Sequence, residues 1–201
     1  MPILPADLTT SFPDPELELR LQTFLDLLMD WNTRINLISR KETAPWIHLQ
    51  DSLHFAAVLP ADQTLIDIGT GAGFPGLIVA LARPDVKVTL VEPQHKKQLF
   101  LEDAVRLLHL SVIRLEARVE LGKVRSTQID KVHGGKWDHA VCKALANPAE
   151  FARMAAPLAR TLWFLASEDQ AIGAAPSWTV ARTWTVADER HRVLLTCPGK
   201  R

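Results

Sequence analysis

Apolar positions along this chain fall into two regimes. Over about the first 60 residues the spacing is helical: Leu17, Leu21, Phe24, Leu25 and Leu28 lie at i, i+4, i+7, i+8 and i+11, one stripe of an amphipathic helix. A second helical stretch is predicted over 42–58, with Pro45 near its start, where a missing N–H costs little, and Pro60 closing it. From Thr64 the pattern changes to short apolar runs separated by other segments. The runs 64–69, 87–92, 111–115, 138–143 and 161–166 predict strands. Between them fall helical stretches over 77–82, 96–108 and 148–158, and a short piece near 116–124. Leu101, Ala104, Val105 and Leu108 give one of these helices its sheet-facing stripe. Such alternation predicts a parallel sheet with helices on both faces. At the end, 178–186 and 192–196 read as two strands with no helix between them, hence an antiparallel hairpin. The expected architecture is α/β: a helical cap over 1–60 that is not an independent domain, then a mostly parallel, doubly wound, seven-stranded sheet over 61–201 with an antiparallel C-terminal hairpin.

The chemistry concentrates where the first predicted strand ends. Leu65-Ile66-Asp67-Ile68 runs into Gly69-Thr70-Gly71-Ala72-Gly73-Phe74-Pro75-Gly76. Strand, glycine turn and helix form the layout of a nucleotide-binding crevice. Gly71 to Gly76 matches G-x-G-x-x-G, and Glu92 lies 19 residues after Gly73, where an acid holds a ribose diol. Dinucleotide oxidoreductases satisfy that match too. Asp67 separates the candidates: a carboxylate is badly placed beside a pyrophosphate but well placed near the cationic sulfonium and ammonium of S-adenosylmethionine. Pro75 points the same way, because it removes a donor from an anion site. The terminal hairpin adds to this, since common dinucleotide folds end in parallel strands.

Composition sets limits on the remaining readings. The chain has 201 residues, enough for one well-buried domain, and 23 basic against 23 acidic residues, which argues mildly against a whole-surface nucleic-acid binder. No run approaches the roughly 20 apolar residues of a membrane span, and no secretory signal is expected at the N-terminus. Cys142 and Cys197 lie in apolar runs, as buried reduced thiols of a cytoplasmic protein do, and no cysteine or histidine spacing suggests a metal.

Several segments together resemble one family. These are Trp31-Asn32-x-Arg34-Ile35-Asn36-Leu37, His48-x-x-Asp51-Ser52, Gly73-Phe74-Pro75-Gly76, Glu92 with Lys96-Lys97-x-x-Phe100-Leu101, Ala117-Arg118-Val119-Glu120, and Glu189-Arg190-His191 before the last strand. The chain is similar to the RsmG (GidB) family of bacterial 16S rRNA guanine-N7 methyltransferases. That resemblance implies a class I, Rossmann-like methyltransferase fold and a cytoplasmic enzyme. It implies methyl transfer from S-adenosylmethionine to N7 of a guanine in the 530 loop, in 16S rRNA or the 30S subunit, by a monomer without metal. Two departures stand out: Cys142-Lys143-Ala144 where the family shows Ser-Arg-Ala, and Ser167-Glu168 where it tends to show Lys-Gly. Lysine keeps the charge of arginine but not its planar fork.

The cofactor residues expected on these grounds are Asp67, Gly69, Gly71, Gly73, Phe74, Glu92 and Lys143, with Val119 and Glu120 beside the adenine by resemblance. Those expected to meet RNA are Arg34, His48, Asp51, Ser52, Lys96, Lys97 and Arg190. Arg40, Lys41, Arg192, Lys200 and Arg201 extend the basic set. No catalytic base is assigned, because guanine N7 already carries an in-plane lone pair, so the mechanism is one of positioning. Other readings stay open: a methyltransferase of a small molecule or protein, an NAD-dependent oxidoreductase, or a cofactor-binding rRNA chaperone.

Overall fold

The computed structural model describes residues 3–115, 118–120, 123–125, 136–143, 147–172, 177–186 and 190–199. Two helices, α1 (Leu17–Asn32) and α2 (Trp46–Ala56), precede the sheet. The main sheet is built from β1 (Thr64–Ile68), β2 (Lys87–Val91), β3 (Val112–Leu115), β6 (Trp137–Lys143), β7 (Ala159–Ser167), β8 (Thr179–Thr185) and β9 (His191–Pro198), in the order β3-β2-β1-β6-β7-β9-β8. Helices α3 (Gly76–Ala82), α4 (His95–Leu107), α5 (Pro148–Ala155) and α6 (Glu168–Ile172) lie between strands. The first five strands of that order pair in parallel; β9 runs antiparallel to β7 and to β8. The C-terminal hairpin therefore forms one sheet edge, with β9 inserted between β7 and β8.

The expectation fails at the short piece near 116–124. Arg118–Glu120 and Lys123–Arg125 form two strands, β4 and β5, paired antiparallel in a separate small sheet. The period-two run Arg118-Val119-Glu120 was too short to separate strand from helix by pattern alone. Lys200 and Arg201 lie outside the described residues.

Strand residues alternate between two apolar clusters, so both faces of the sheet are covered. Leu65, Val141, Trp163 and Leu165 join the cluster that contains the stripes of α1, α2, α3 and α4. Ile66, Ala140, Cys142, Leu162, Phe164 and Ala166 face the other, with Phe151 of α5 and Trp178. The period of two selects the face and the parallel pairing buries it. The α1 stripe of Leu17, Leu21, Phe24, Leu25 and Leu28 is buried as its spacing requires. Arg83, just after α3, donates to the carbonyls of Ala56 (3.0 Å) and Leu59 (2.8 Å) at the end of α2, a cation closing that helix's negative terminus. Asn147 caps α5 by accepting from the Glu150 amide, with Pro148 at the first helical position. Both cysteines are buried. Among the described residues, no helix is long and apolar enough to cross a membrane.

Strand order reverses between β1 and β6, and the crevice for a ligand opens there, at the carboxyl ends of the strands. Gly76, at the first turn of α3, packs directly over β1 and β2. A Cβ on it would stand 2.6 Å from Leu90 Cδ2 and 2.7 Å from Asp67 Cβ. Gly76→Ala is expected to destabilise the fold by about 1–3 kcal/mol through overpacking. Urea unfolding monitored by tryptophan fluorescence measures this, and an unchanged midpoint contradicts the close approach.

Candidate active site

The turn after β1 is held by its own strand. Asp67 is fully buried, and its Oδ2 accepts from the Thr70 hydroxyl (2.6 Å) and from the Gly76 amide (2.8 Å). The second contact takes the leading backbone donor of α3, where an anion would otherwise sit. Between these anchors Gly69, Gly71 and Gly73 adopt φ of 73°, 58° and 87°, the left-handed region that glycine enters without penalty, and the Phe74–Pro75 peptide is cis. Burial pushes the Asp67 carboxyl up to about 7, against the two hydrogen bonds that favour its charged form.

Glu92, just beyond β2, is nearly buried and closes the loop from the other side. Its Oε2 accepts from the Gly71 amide (3.0 Å) and its Oε1 from the Gln94 amide (2.9 Å). A cavity of about 420 Å³ opens over this arrangement. Its walls include Gly69, Gly71, Phe74, Glu92, Lys97 and Lys143, and on the cap side Leu37, Ile38, Glu42 and His48. The cap reaches it because of Asn32. That buried side chain accepts from the Leu37 amide (2.9 Å) and the Ile38 amide (3.1 Å), fixing the turn after α1. Trp31-Asn32-x-Arg34-Ile35-Asn36-Leu37 is thus the segment that places an apolar rim on the cavity.

Lys143, at the end of β6, meets the cap through a polar network. Its ammonium donates to Asp51 Oδ2 (2.8 Å) and to His48 Nδ1 (3.1 Å), and lies 5.7 Å from the centre of the Phe74 ring. Asp51 Oδ1 accepts from Trp184 Nε1 of β8 (3.0 Å), and Arg192 Nε of β9 stands 3.5 Å from Oδ2. Glu42 pairs with Arg190 (3.7 Å) and lies 4.0 Å from His48 Nε2. Burial lowers the His48 pKa to about 4, helped by the neighbouring ammonium, so the ring is neutral at pH 7 and accepts from Lys143 through Nδ1. Burial also pulls Lys143 below the usual lysine range, with Asp51 opposing the shift. His54, stacked on Trp184 with ring centres 4.7 Å apart, is likewise lowered to about 4 by burial.

Of the expected cofactor residues, Gly69, Gly71, Phe74, Glu92 and Lys143 meet around the cavity. Asp67 and Gly73 do not line it. Asp67 was expected beside the cationic part of a cofactor, but its carboxylate is turned onto the loop it supports, because the buried Thr70 hydroxyl and Gly76 amide need an acceptor. The backbone of Val119 and Glu120 lies in β4; their side chains lie outside what is described.

The expected RNA residues separate. Lys97 and His48 line the cavity, and Lys96 is exposed on the first turn of α4. Arg190 pairs with Glu42 near its rim. Arg34 is exposed, paired with Asp30 and lying 4.8 Å over the Trp31 ring. Asp51 and Ser52 are buried. The Ser52 hydroxyl bonds back to the His48 carbonyl one turn earlier (2.7 Å). No local sequence pattern marks Trp184, Glu42 or the Asp51 contact of Arg192 as parts of the site. Among the described residues, no group of three His, Cys, Asp or Glu is placed to hold a metal ion.

Known proteins resemble the chain in sequence and in fold. A family model described as rRNA small subunit methyltransferase G matches residues 18–166. A relative named ribosomal RNA small subunit methyltransferase G 3, from Bdellovibrio bacteriovorus, is 33% identical over 176 residues, 80% of this chain and 74% of its own length. Another named ribosomal RNA small subunit methyltransferase G, from Gluconobacter oxydans, is 42% identical over 103 residues, covering 50% of this chain and 53% of that protein. The matched region thus spans about half the length of several of these curated relatives. Two solved structures share the fold at low identity. A predicted O-methyltransferase from Agrobacterium tumefaciens has a TM-score of 0.56 at 17% identity, over 76% of this chain and 82% of that one. A SAM-dependent methyltransferase from Aquifex aeolicus has a TM-score of 0.54 at 15% identity, over 88% and 98%.

The raised Asp67 pKa has a thermodynamic consequence of definite sign. Between the unfolded value of 3.8 and about 7, the folded chain holds a proton at Asp67 that the unfolded chain has released. Rising pH across that window therefore removes stability. His48 and His54 act in the opposite direction between about 4 and 6.5, so the effect is isolated as a difference between proteins. The stability of Asp67→Asn relative to the parent, from urea unfolding, is expected to increase from pH 4 to 7 and level off above. A difference independent of pH contradicts it.

Proposed function

We propose, for a chain that belongs to the rRNA small subunit methyltransferase G family, that it transfers a methyl group from S-adenosylmethionine to N7 of a guanine in the 530 loop of 16S rRNA. The observation that carries the choice of cofactor is the closed N-terminus of α3. Asp67 occupies the Gly76 amide from within, so that donor is not free for a pyrophosphate. S-adenosylmethionine has no phosphate, and the cavity fits it otherwise. Glu92 keeps lone pairs beyond the two it gives to Gly71 and Gln94, which suits a ribose diol. Gly69 and Gly71 allow close backbone approach, and Phe74, Leu37 and Ile38 give apolar walls. Gly73 and Asp67 serve by holding this loop in shape.

When bound, S-adenosylmethionine supplies an electrophilic methyl group on a sulfonium, whose C–S electron pair stays with sulfur as the methyl passes to the base nitrogen. Guanine N7 needs no deprotonation, so the chain has no proton to move. Its residues bind, orient and exclude water, work that supplies on the order of 7–11 kcal/mol of a barrier. The cap forms the lid of the cavity through Leu37, Ile38 and His48. The target guanine must leave its stack to reach it. Lys96, Lys97, Arg34 and Arg190 are the proposed RNA-facing cations, acting on a cytoplasmic 16S rRNA or 30S substrate.

Methyl incorporation into 30S subunits from a strain lacking the modification, with N7 mapped by strand scission, tests the activity; no incorporation overturns it. Glu92→Ala is expected to weaken S-adenosylhomocysteine binding at least about tenfold, the cost of a lost charge-assisted contact, as read by calorimetry. Unchanged affinity places the ribose elsewhere.

A further inference from the structure

Lys143 and His48 border two cavities. Beyond them, at the carboxyl ends of β6 and β7, lies a second space of about 170 Å³, walled by Leu165, Ala166 and Trp184 and by Asp51 and Arg192. We infer that this second cavity seats the base to be methylated, and that Lys143 and Arg192 read the O6 of guanine there. The inference rests on the proposed methyltransferase function and deepens it to the residues that choose the base.

Among the charged groups that line the space, two cations, Lys143 and Arg192, stand against one carboxylate, Asp51; Ser167 and Gln170 add neutral polar groups. Asp51 is its carboxylate, and its charge is already shared between protein donors, with Oδ1 accepting from Trp184 and Oδ2 from Lys143. An ammonium has three N–H donors; Asp51 and His48 take two of Lys143's. Arg192 has five, and only its Nε stands near Asp51. Two cations thus share one carboxylate and keep donors for a ligand. The edge of guanine that carries N7 presents two acceptors, N7 and O6, whereas adenine puts the N6 amino donor beside N7. A wall whose cations outnumber its carboxylate two to one favours the first over the second. Contact at O6 leaves the N7 lone pair for the methyl group, and Lys143 stands where the two cavities meet, as a residue holding the base beside the methyl donor must. Leu165, Ala166 and Trp184 supply apolar surface for the purine ring. A backbone phosphate would satisfy the same cations, but such a contact does not discriminate among bases.

The test compares 30S subunits reconstituted with 16S rRNA carrying guanine or 2-aminopurine at the target position. 2-Aminopurine keeps N7 and lacks O6. The parent is expected to prefer guanine by at least about tenfold in kcat/KM, the range of one good base contact. In Arg192→Gln that preference collapses, and in Arg192→Lys most of it returns. S-adenosylhomocysteine affinity, measured by calorimetry on each variant, stays near the parent value, because Arg192 lines the second cavity and not the first. If Arg192→Gln fails to fold, Arg192→Met carries the same comparison. A preference unchanged in the variants, as a phosphate contact predicts, overturns the inference alone. Loss of cofactor affinity in step with activity also overturns it, because Arg192 would then serve the cofactor. No transfer to guanine by the parent overturns the methyltransferase reading, and this inference with it.

Discussion

Asp51 holds the functional half of the molecule together. From α2 it takes Trp184 of β8 on one oxygen and Lys143 of β6 on the other, with Arg192 of β9 close by. Cap, sheet centre and C-terminal hairpin therefore meet at one buried carboxylate. Removing one partner of a buried pair typically costs about 3–5 kcal/mol, because the other charge is left without compensation. The pair is weak evidence for stability as such. Its value here is geometric: it sets the distance between the lid and the strand ends, and so the shape of both cavities.

Asp67 does for the glycine loop what Asp51 does for the cap. Both are buried acids beside the ligand-binding edge of the sheet, and both accept from the protein, Asp67 through Oδ2 and Asp51 through both oxygens. The loop needs such an acceptor because Thr70 and the first amide of α3 are buried and buried donors require partners. A carboxylate chosen for electrostatic attraction to a cofactor proves to be a brace. It still bears on cofactor choice, since it fills the helix terminus that a pyrophosphate would require.

The Lys143 departure from the arginine of the resembled family gains meaning from this setting. Arginine offers a planar fork, while lysine offers a compact charge with three rotatable donors. Here those donors divide between Asp51, His48 and one remaining position. Glu168, the other departure, begins α6 immediately after β7, so its acid stands at a helix N-terminus, where negative charge is favoured. Ser167 beside it borders the second cavity.

Local periodicity determined much of this protein from sequence. The α1 stripe, the apolar strand runs, the glycine turn with Glu92 at its offset and the terminal strands with no intervening helix each express an interaction between near neighbours or a single backbone geometry. Those survive in the structure because nothing distant competes with them. The short 118–125 segment forms two strands that the pattern does not mark, since three-residue runs carry no usable period. What only the tertiary structure decided is which polar side chains face one another. Asp51 meets Trp184 across 133 residues and Lys143 across 92, and no spacing rule links such positions. Asp67 turned inward for the same reason: burial, set by the packing of α3 on the sheet, decides whether a carboxylate serves a ligand or the backbone beside it.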